Sequence, residues 1–191
     1  MMLSELEKLK LGLDYDYTDP EISQIKENAM KQTDIYNNIP SENKEAQEKQ
    51  IKKMFKKVGE NIEIMRPFQC DNGKNITIGD NFVGNYNLVI LDCDEVTIGN
   101  NVMIGPNTLI TSVGHPLSPK DRREHKGLTK PIKIGNDVWL GGNVTILPGV
   151  NIGNNVVIGA GAVVTKDIPD NSLAVGVPAK VIRKIENDLE D

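Results

Sequence analysis

The stretch IKIGNDVWLGGNVTILPGVNIGNNVVIGAGAVVT, residues 132–165, repeats every six residues. Each unit has an aliphatic marker and another apolar residue two positions before it, which is the alternation of a short strand. Glycine, asparagine, aspartate or proline then follows, and these residues form turns. Strands this short are sides of a stacked coil, and three sides make a triangular coil of 18 residues, the interval from Ile134 to Ile152. The markers are Ile134, Leu140, Ile146, Ile152, Ile158 and Val164.

The same count continues upstream with two irregularities. Ile78, Gly84 and Ile90 are six apart, with Gly84 as the exception to the aliphatic rule, and the gap of eight from Ile90 to Ile98 indicates a two-residue bulge within 92–95. The gap of 24 between the markers Ile110 and Ile134 is one normal step plus 18 extra residues. Such insertions leave a solenoid at one corner and often form its binding face. We therefore predict an all-β solenoid with a loop extruded near 112–130.

The two ends of the chain have a different pattern. Residues 1–59 are predicted to form a helical cap, 60–183 the solenoid domain and 184–191 a C-terminal tail. The segment VPAKVIRKIENDLED (177–191) is expected to fold back on the last coil. A first helix begins at Thr18-Asp-Pro-Glu21, where a capping residue precedes proline, and carries the apolar stripe Ile22, Ile25 and Ala29. A second helix is predicted from a cap at Ser41 to a stop at Gly59.

Composition narrows the class of protein. The net charge of -5 gives no indication of nucleic-acid binding. We find neither a signal peptide nor a membrane-spanning run, so a cytoplasmic protein is expected. Cys70 and Cys93 have no metal or redox spacing and are expected to be reduced thiols. No metal requirement is expected.

Several segments resemble hexapeptide-repeat acyltransferases, most closely the sugar O-acetyltransferases of the maltose and galactoside type. They are VGENI (58–62), SVGHP (112–116), the run KPIKIGNDVWLGGNVTILPGVNIGNNVVIGAGAVVTKDIP (130–169) and AVGVPAKVIRK (174–184). The resemblance implies a left-handed parallel β-helix and a homotrimer that binds acetyl-CoA in the cleft between neighbouring subunits. It also implies acetyl transfer from acetyl-CoA to a sugar hydroxyl.

A sugar hydroxyl needs a general base, and imidazole is suited to this at neutral pH. His115, in Gly-His-Pro at the root of the insertion, is the candidate, whereas His125 lies in a charged run and is predicted to be a solvated loop residue. Glu124 or a backbone carbonyl is expected to orient the other ring nitrogen of His115. By resemblance, Asn85 stabilises the transition state, and a backbone N–H near Gly142 binds the oxyanion.

The remaining site residues are implied by the resemblance. Small residues allow the pantetheine arm to lie against the coil, cations bind the CoA phosphates, and Trp139 is predicted to wall the cleft. The positions implied for acetyl-CoA are Gly142, Ala160, Thr165, Lys166, Lys180 and Arg183. Those implied for the acceptor are Asp16, Tyr17, Asp71, Asn85 and Cys93. The family often has serine at 71 and 142, aspartate at 93 and arginine at 180, so this chain departs from its pattern at four positions.

Three other functions were weighed. A zinc enzyme on the same solenoid needs three histidine ligands, and the chain has two histidines. An acyltransferase that acts on serine or on an antibiotic remains open, because the fold does not fix the acceptor. A non-catalytic solenoid binding module is the third, although it would not need a histidine at the root of the insertion.

Overall fold

The six-residue units form the three faces of a triangular solenoid. The computed structural model describes residues 2–188, in which about six turns stack in parallel. Face 1 consists of β2 (Lys57–Val58), β5 (Ile76–Ile78), β8 (Val96–Ile98), β13 (Ile132–Ile134) and β16 (Asn151–Ile152). Face 2 consists of β3 (Ile62–Ile64), β6 (Phe82–Gly84), β9 (Met103–Ile104), β14 (Val138–Leu140), β17 (Val156–Ile158), β19 (Ser172–Val175) and β20 (Lys180–Lys184). Face 3 consists of β4 (Phe68–Cys70), β7 (Leu88–Leu91), β10 (Leu109–Thr111), β15 (Thr145–Ile146) and β18 (Val163–Val164).

The register of the strands confirms the six-residue count and its irregularities. Ile134 pairs with Ile152, one turn of 18 residues later. Ile78 pairs with Ile98 across the predicted bulge, and Ile98 pairs with Ile134 across the insertion. The prediction of a parallel β-solenoid is therefore confirmed.

The aliphatic markers fill the inside of the coil. Ile134, Leu140 and Ile158 are at most 1% exposed, and full burial of such a side chain contributes about 1.5–3 kcal/mol. Gly84 departs from the rule because the side chains of Phe82 and Leu88 occupy its place, within 3.0 Å of where its Cβ would lie. The core thus remains filled at the turn where a marker is missing.

The repeated Ile-Gly-Asn/Asp-Asn/Asp tetrapeptides turn the chain from face 1 to face 2. A Cβ on Gly99 would lie 2.7 Å from the carbonyl oxygen of Gly135 in the next turn, so only glycine allows this close stacking. The residue after the glycine caps the turn below it: the backbone N–H of Asp80 donates to Oδ1 of Asn100 at 2.8 Å. The repeat is therefore a corner motif as well as a strand motif.

The last residue of each tetrapeptide has a positive φ, which asparagine tolerates well. These asparagines form a ladder in which the amide donates to the side-chain oxygen one turn later, at 2.9 Å from Asn81 to Asn101 and from Asn101 to Asp137. An ionised Asp137 cannot donate. The ladder begins again from Asn155 to Asn171 at 2.8 Å, so Asp137 interrupts it.

Asp137→Asn is expected to join the two halves of this ladder. The new amide can donate to Oδ1 of Asn155, while its oxygen still accepts from Asn101. One added hydrogen bond should raise the free energy of unfolding by about 0.5–1.5 kcal/mol, measured by urea denaturation at fixed protein concentration. Asn101→Ala, which removes hydrogen bonds of the ladder, should lower the free energy of unfolding. A less stable Asp137→Asn protein would contradict the ladder.

Three helices, α1 (Glu5–Lys10), α2 (Pro20–Asn37) and α3 (Lys44–Met54), precede the solenoid. Asp19 caps α2 and Pro20 is its first residue, as predicted. The Tyr36 hydroxyl donates to the carbonyl oxygen of Ile64 at 2.6 Å, which fixes α2 on the first turn. No helix within residues 2–188 is long and apolar enough to cross a membrane.

The predicted bounds of the second helix are wrong. Asn43 rather than Ser41 caps α3, because its side chain accepts from the N–H of Ala46 at 3.2 Å. The helix ends at Met54, and Gly59 instead forms the first corner between faces 1 and 2. A Cβ on Gly59 would lie 2.6 Å from the backbone of Gly79, which explains the glycine there.

The insertion leaves the solenoid between face 3 and face 1, after β10 and before β13. It contains β11 (Val113–Gly114), the short helix α4 (Pro119–Arg123) and β12 (Lys126–Thr129). The strand β1 (Tyr15–Asp16) adds to the free edge of β12, so the N-terminal segment completes a three-stranded sheet. At the other end β20 folds back antiparallel on β19, as predicted. Residues 189–191 of the predicted tail lie outside the described residues.

Candidate active site

The predicted site residues divide between two corners of the solenoid. We call the turns from face 3 to face 1 the 3–1 corner, and the turns from face 2 to face 3 the 2–3 corner. At the 3–1 corner, or on the β1 segment joined to it, are Asp16, Tyr17, Asp71, Cys93, His115, Thr165 and Lys166. At the 2–3 corner, or on face 2 beside it, are Asn85, Trp139, Gly142, Ala160, Lys180 and Arg183.

His115 follows β11 and is exposed at the 3–1 corner. Its Nδ1 lies 3.1 Å from the carbonyl oxygen of Lys126, the first residue of β12. Because a carbonyl only accepts, Nδ1 carries the proton and Nε2 keeps its lone pair. Of the two orienting partners considered from the sequence, the backbone carbonyl is therefore the one present, and Nε2 is free to act as a base. The Glu124 carboxylate instead faces Lys120 at 3.9 Å.

The sheet formed by β1, β12 and β11 sets the position of His115. Tyr15 lies opposite Gly127 in the register, and a Cβ on Gly127 would be 2.7 Å from the ring of Tyr15. Glycine at 127 thus lets β1 approach β12. The ring of Tyr17, two residues on, makes edge contacts with both His115 and His125. His125 is exposed, as predicted, but it has this ring contact in addition.

Asp71 and Cys93 contact each other at the 3–1 corner. The Cys93 thiol donates to Oδ2 of Asp71 at 3.2 Å, and Lys26 Nζ lies 4.0 Å from the same oxygen. Burial raises the pKa of Cys93 to about 12, with a further rise from the charge of Asp71, so the thiol is neutral and can donate. In this contact pair the carboxylate is on residue 71, and the partner at 93 is uncharged.

An apolar cavity of about 280 Å³ borders Asp71 and Cys93. Leu6 and Leu9 of α1 and Ile25 of α2 form part of its wall. The sequence analysis did not predict α1. Its signal is the capping box in which Ser4 accepts from the N–H of Glu7 and the Glu7 side chain accepts from the N–H of Ser4.

Asp92 is fully buried beneath the loop that carries Asp71. Its carboxylate accepts from the backbone N–H groups of Asp71, Asn72 and Asn75 at 2.9–3.3 Å. The two-residue bulge predicted in 92–95 therefore supplies a buried anchor for residues 71–75. Burial raises the pKa of Asp92 to about 7, against the opposing effect of these hydrogen bonds.

The raised pKa of Asp92 gives a pH dependence with a definite sign. An unfolded aspartate titrates near 3.9, so between about pH 4 and pH 7 the folded state binds the additional proton and stability falls as pH rises. Asp92→Asn has no such group. The free energy of unfolding of the wild type relative to this variant should therefore fall by about 2 kcal/mol from pH 5 to pH 7. A difference that rises over this range, in urea unfolding at both pH values, would contradict the shift.

The 2–3 corner presents hydrogen-bond donors. Oδ1 of Asn85 accepts from the backbone N–H of Tyr86 at 2.8 Å, which fixes the side-chain amide and leaves its NH₂ group as the donor. Among residues 2–188, the backbone N–H groups of Gly142 and Ala160 have no acceptor, although their neighbours Gly141 and Gly161 donate within the coil. Small residues at 142 and 160 leave these donors open.

Trp139 projects outward from face 2 and is 51% exposed. It lies between Met103 and Val157 in the register, so it has no core role, as predicted. Three cationic side chains lie at the last turns of the solenoid, and none of the three forms an ion pair with another described residue. They are Lys166, Lys180 and Arg183.

Two family models match the chain. Residues 131–166 match the bacterial transferase hexapeptide, described as six repeats, and residues 8–59 match the maltose acetyltransferase hexapeptide capping motif. The chain is also 50% identical over 143 residues to the galactoside O-acetyltransferase of Escherichia coli. The aligned region covers 75% of this chain and 70% of the Escherichia coli protein. The chain belongs to the maltose and galactoside O-acetyltransferase family of hexapeptide-repeat acyltransferases.

Solved structures of the family superpose on nearly the whole chain. A maltose O-acetyltransferase from Clostridium difficile 630 matches with a TM-score of 0.95 and 42% identity, over 97% of this chain and 99% of that chain. A galactoside acetyltransferase in complex with coenzyme A matches with a TM-score of 0.93 and 40% identity, over 97% of this chain and 92% of that chain. A Vibrio cholerae hexapeptide-repeat acetyltransferase complexed with acetyl-CoA has a TM-score of 0.87 and 36% identity, over 97% and 100%.

Membership of this family accounts for the helices that precede the solenoid as well as for its six-residue repeats. The capping motif spans α2 and α3 and ends at Gly59, the first corner of the solenoid. Within residues 2–188, no three histidine, cysteine, aspartate or glutamate side chains form a group suited to a metal ion.

Proposed function

We propose that this chain is a cytoplasmic, acetyl-CoA-dependent O-acetyltransferase that acetylates a sugar hydroxyl with His115 as the general base. The observation that carries the proposal is the state of His115. Its Nδ1 is bonded to a backbone carbonyl, and its Nε2 is free and exposed. Family membership supports the donor, since its solved members include complexes with coenzyme A and acetyl-CoA.

In the proposed reaction, Nε2 of His115 takes the proton of the acceptor hydroxyl as its oxygen bonds to the thioester carbonyl carbon. The carbon–sulfur bond then breaks, and the imidazolium returns the proton to the leaving sulfur. His115 thus ends in its starting state, and no covalent enzyme intermediate is needed. The hydrogen bond to Lys126 stabilises the imidazolium between the two transfers.

Negative charge develops on the carbonyl oxygen during the attack, and donors fixed beforehand lower its energy. The proposal assigns this role to the backbone N–H of Gly142, with the Asn85 amide as a second donor to the transition state. Both groups are open at the 2–3 corner, and the Asn85 amide is already oriented by its bond to Tyr86. Each donor is therefore in place before substrate binds.

These donors and His115 lie at different corners of one chain. Face 3 separates the corners, and its strand β7 alone, Leu88–Leu91, spans roughly 10 Å at about 3.3 Å per residue. One bound acetyl group cannot contact both corners of the same chain. We propose that the 3–1 corner of one subunit meets the 2–3 corner of its neighbour, so that each site takes residues from two copies.

The outward side chains of the three faces favour such an assembly. Face 1 is polar outside, with Lys57, Thr77, Thr97, Lys133 and Asn151. Face 3 shows Val89, Leu109 and Val163 beside the polar Gln69 and Thr145, and face 2 shows Val83, Met103, Trp139, Val157 and Leu173 beside Glu63. Two faces on one subunit that are more apolar than face 1 allow a closed ring in which every copy makes the same two contacts. The proposed assembly is a homotrimer.

The acceptor class is tested by measuring CoA release. Purified protein with acetyl-CoA is assayed against maltose, glucose, galactosides, serine and an aminoglycoside or chloramphenicol-type antibiotic. The proposal expects the highest kcat/KM with a sugar. A preference for serine or for an antibiotic would show another acyltransferase, and no release with any acceptor would favour a binding module.

Arg183→Ala tests the donor end of the site. Arg183 is exposed on β20 and suited to a CoA phosphate, which is remote from the thioester. A contact made equally in ground state and transition state affects KM, so KM for acetyl-CoA should rise about tenfold while kcat changes less than about twofold. Lys57→Ala, at an exposed cation on face 1, is the matched control. Loss of kcat with an unchanged KM would refute the phosphate role.

A further inference from the structure

Both histidines of the chain contact the ring of a single residue, Tyr17. The centroid of the Tyr17 ring lies 5.3 Å from that of His115 with an interplanar angle of 75°, and 5.5 Å from that of His125 with an angle of 72°. These are edge-to-face contacts, one of the arrangements that aromatic rings prefer. We refer to His115, Tyr17 and His125 as the three-ring row.

The backbone holds each member of the row in place. The N–H of Tyr17 donates to the carbonyl oxygen of His125 at 3.0 Å, which continues the pairing of β1 with β12. His125 has a φ of 58°, a conformation that an L-residue adopts only where its surroundings require it. That turn from α4 into β12 places the imidazole of His125 against Tyr17. The row is thus built on paired strands rather than on mobile side chains alone.

His115 needs a contact of this kind. It is exposed, and its hydrogen bond to Lys126 fixes one atom of the ring. The imidazole turns about two side-chain bonds, Cα–Cβ and Cβ–Cγ, and such rotation moves Nε2 away from the acceptor hydroxyl. Catalytic groups must be held to within about 0.5 Å, and a shift of 1 Å costs about 10²-fold in rate. The ring of Tyr17 supplies the second point of contact.

We infer that Tyr17 is a positioning residue that holds the imidazole of His115 in its reactive orientation, with His125 bracing Tyr17 from the other side. The contact is between rings, so the phenol hydroxyl is not required. The inference rests on the proposed function, because it takes His115 as the base. It differs from the role in acceptor binding that the resemblance implies for Tyr17, since a positioning residue acts through His115 and not on the sugar.

Three variants test this inference in the full-length protein. Tyr17→Leu removes the ring but keeps an apolar side chain, Tyr17→Phe restores the ring without the hydroxyl, and His125→Ala removes the brace. Tyr17→Leu should lower kcat about 10- to 100-fold with KM for the acceptor and for acetyl-CoA changed less than about twofold. Tyr17→Phe should recover most of that loss. His125→Ala should lower kcat by no more than about fivefold, because the direct contact remains.

The second readout does not depend on activity. In ¹⁵N-labelled protein, the NMR signals of the ring nitrogens of His115 report its tautomer. The Nδ1–H form is expected in the wild type. Tyr17→Leu should mix the two tautomers or broaden these signals, and Tyr17→Phe should keep the wild-type spectrum. Circular dichroism checks that each variant is folded.

Three results would overturn the inference. They are a Tyr17→Leu protein with wild-type kcat, a rise in acceptor KM as its main defect, or a Tyr17→Phe protein as slow as Tyr17→Leu. The last two would assign Tyr17, or its hydroxyl, to the acceptor. If His115→Ala retained full activity, the proposed base would be wrong, but the ring spectra would still decide whether Tyr17 orders His115.

Discussion

His115→Ala is expected to lower kcat for sugar acetylation by about 10²–10⁴-fold, the usual contribution of a general base. The variant loses Nε2 of His115, the proposed base, which the hydrogen bond between Nδ1 and the Lys126 carbonyl orients. KM for acetyl-CoA should change less than about twofold, because the proposed phosphate contacts lie elsewhere. Steady-state kinetics with both substrates varied gives the two constants.

The matched control for this variant is His125→Ala, which removes the other histidine of the same loop. It should lose far less activity than His115→Ala, since His125 acts only through Tyr17. Light scattering and circular dichroism should show that both variants keep the wild-type assembly and fold. Near-normal sugar acetylation by His115→Ala would refute the mechanism.

Asn85→Ala is expected to lower kcat by about 10²–10³-fold, the typical effect of removing one preorganised donor to a developing oxyanion. Asn85→Asp is the sharper variant. It keeps the size of the side chain and the oxygen that accepts from Tyr86 N–H, but its carboxylate cannot donate and adds negative charge. It should be at least as slow as Asn85→Ala. A nearly active Asn85→Asp enzyme would show that the amide is not a transition-state donor.

Much of the fold was predictable from the sequence because the repeat encodes strand and corner together. In the units that turn from face 1 to face 2, the marker is apolar and fills the coil, and the glycine after it must lack a Cβ, as at Gly99. The next positions must accept a backbone N–H or tolerate a positive φ, as at Asn100 and Asn101. Because these requirements recur at a fixed interval, the repeat can be recognised even where the strand or turn propensity of a single residue is weak. The same count located the insertion between Ile110 and Ile134.

Features without a repeat were missed. The bounds of α3 could not be read from helical periodicity alone, because the apolar Val58 continues the stripe although it belongs to β2. The pairing of β1 with β12 joins residues more than 100 positions apart and has no local signal. The contact of Tyr17 with both histidines depends on that pairing. The anchoring of residues 71–75 by Asp92 depends on the stacking of neighbouring turns. The last strand of the insertion, β12, thus contacts the side chain of His115 through the Lys126 carbonyl.

The candidate residues were assigned one by one, but their division between two corners became visible only in the structure. His115 and Asn85 are 30 positions apart in the chain and one face apart in the coil. A sequence does not show which residues meet across an assembly. Asp71 and Cys93 are two positions at which the chain departs from the family pattern, and the structure shows that they contact each other. The Cys93 thiol donates to the Asp71 carboxylate.

The central claim, that each site combines the 3–1 corner of one subunit with the 2–3 corner of its neighbour, is tested most directly by mixing two inactive variants. His115→Ala and Asn85→Ala chains are co-expressed with different tags, isolated as mixed assemblies and assayed per chain. If the site lies between subunits, an Asn85→Ala chain supplies His115 and a His115→Ala neighbour supplies Asn85. In each isolated mixed trimer one of the three sites is then intact, and about a third of wild-type turnover should return. Activity no higher than the sum of the two variants alone would place His115 and Asn85 in one chain's site and contradict the account.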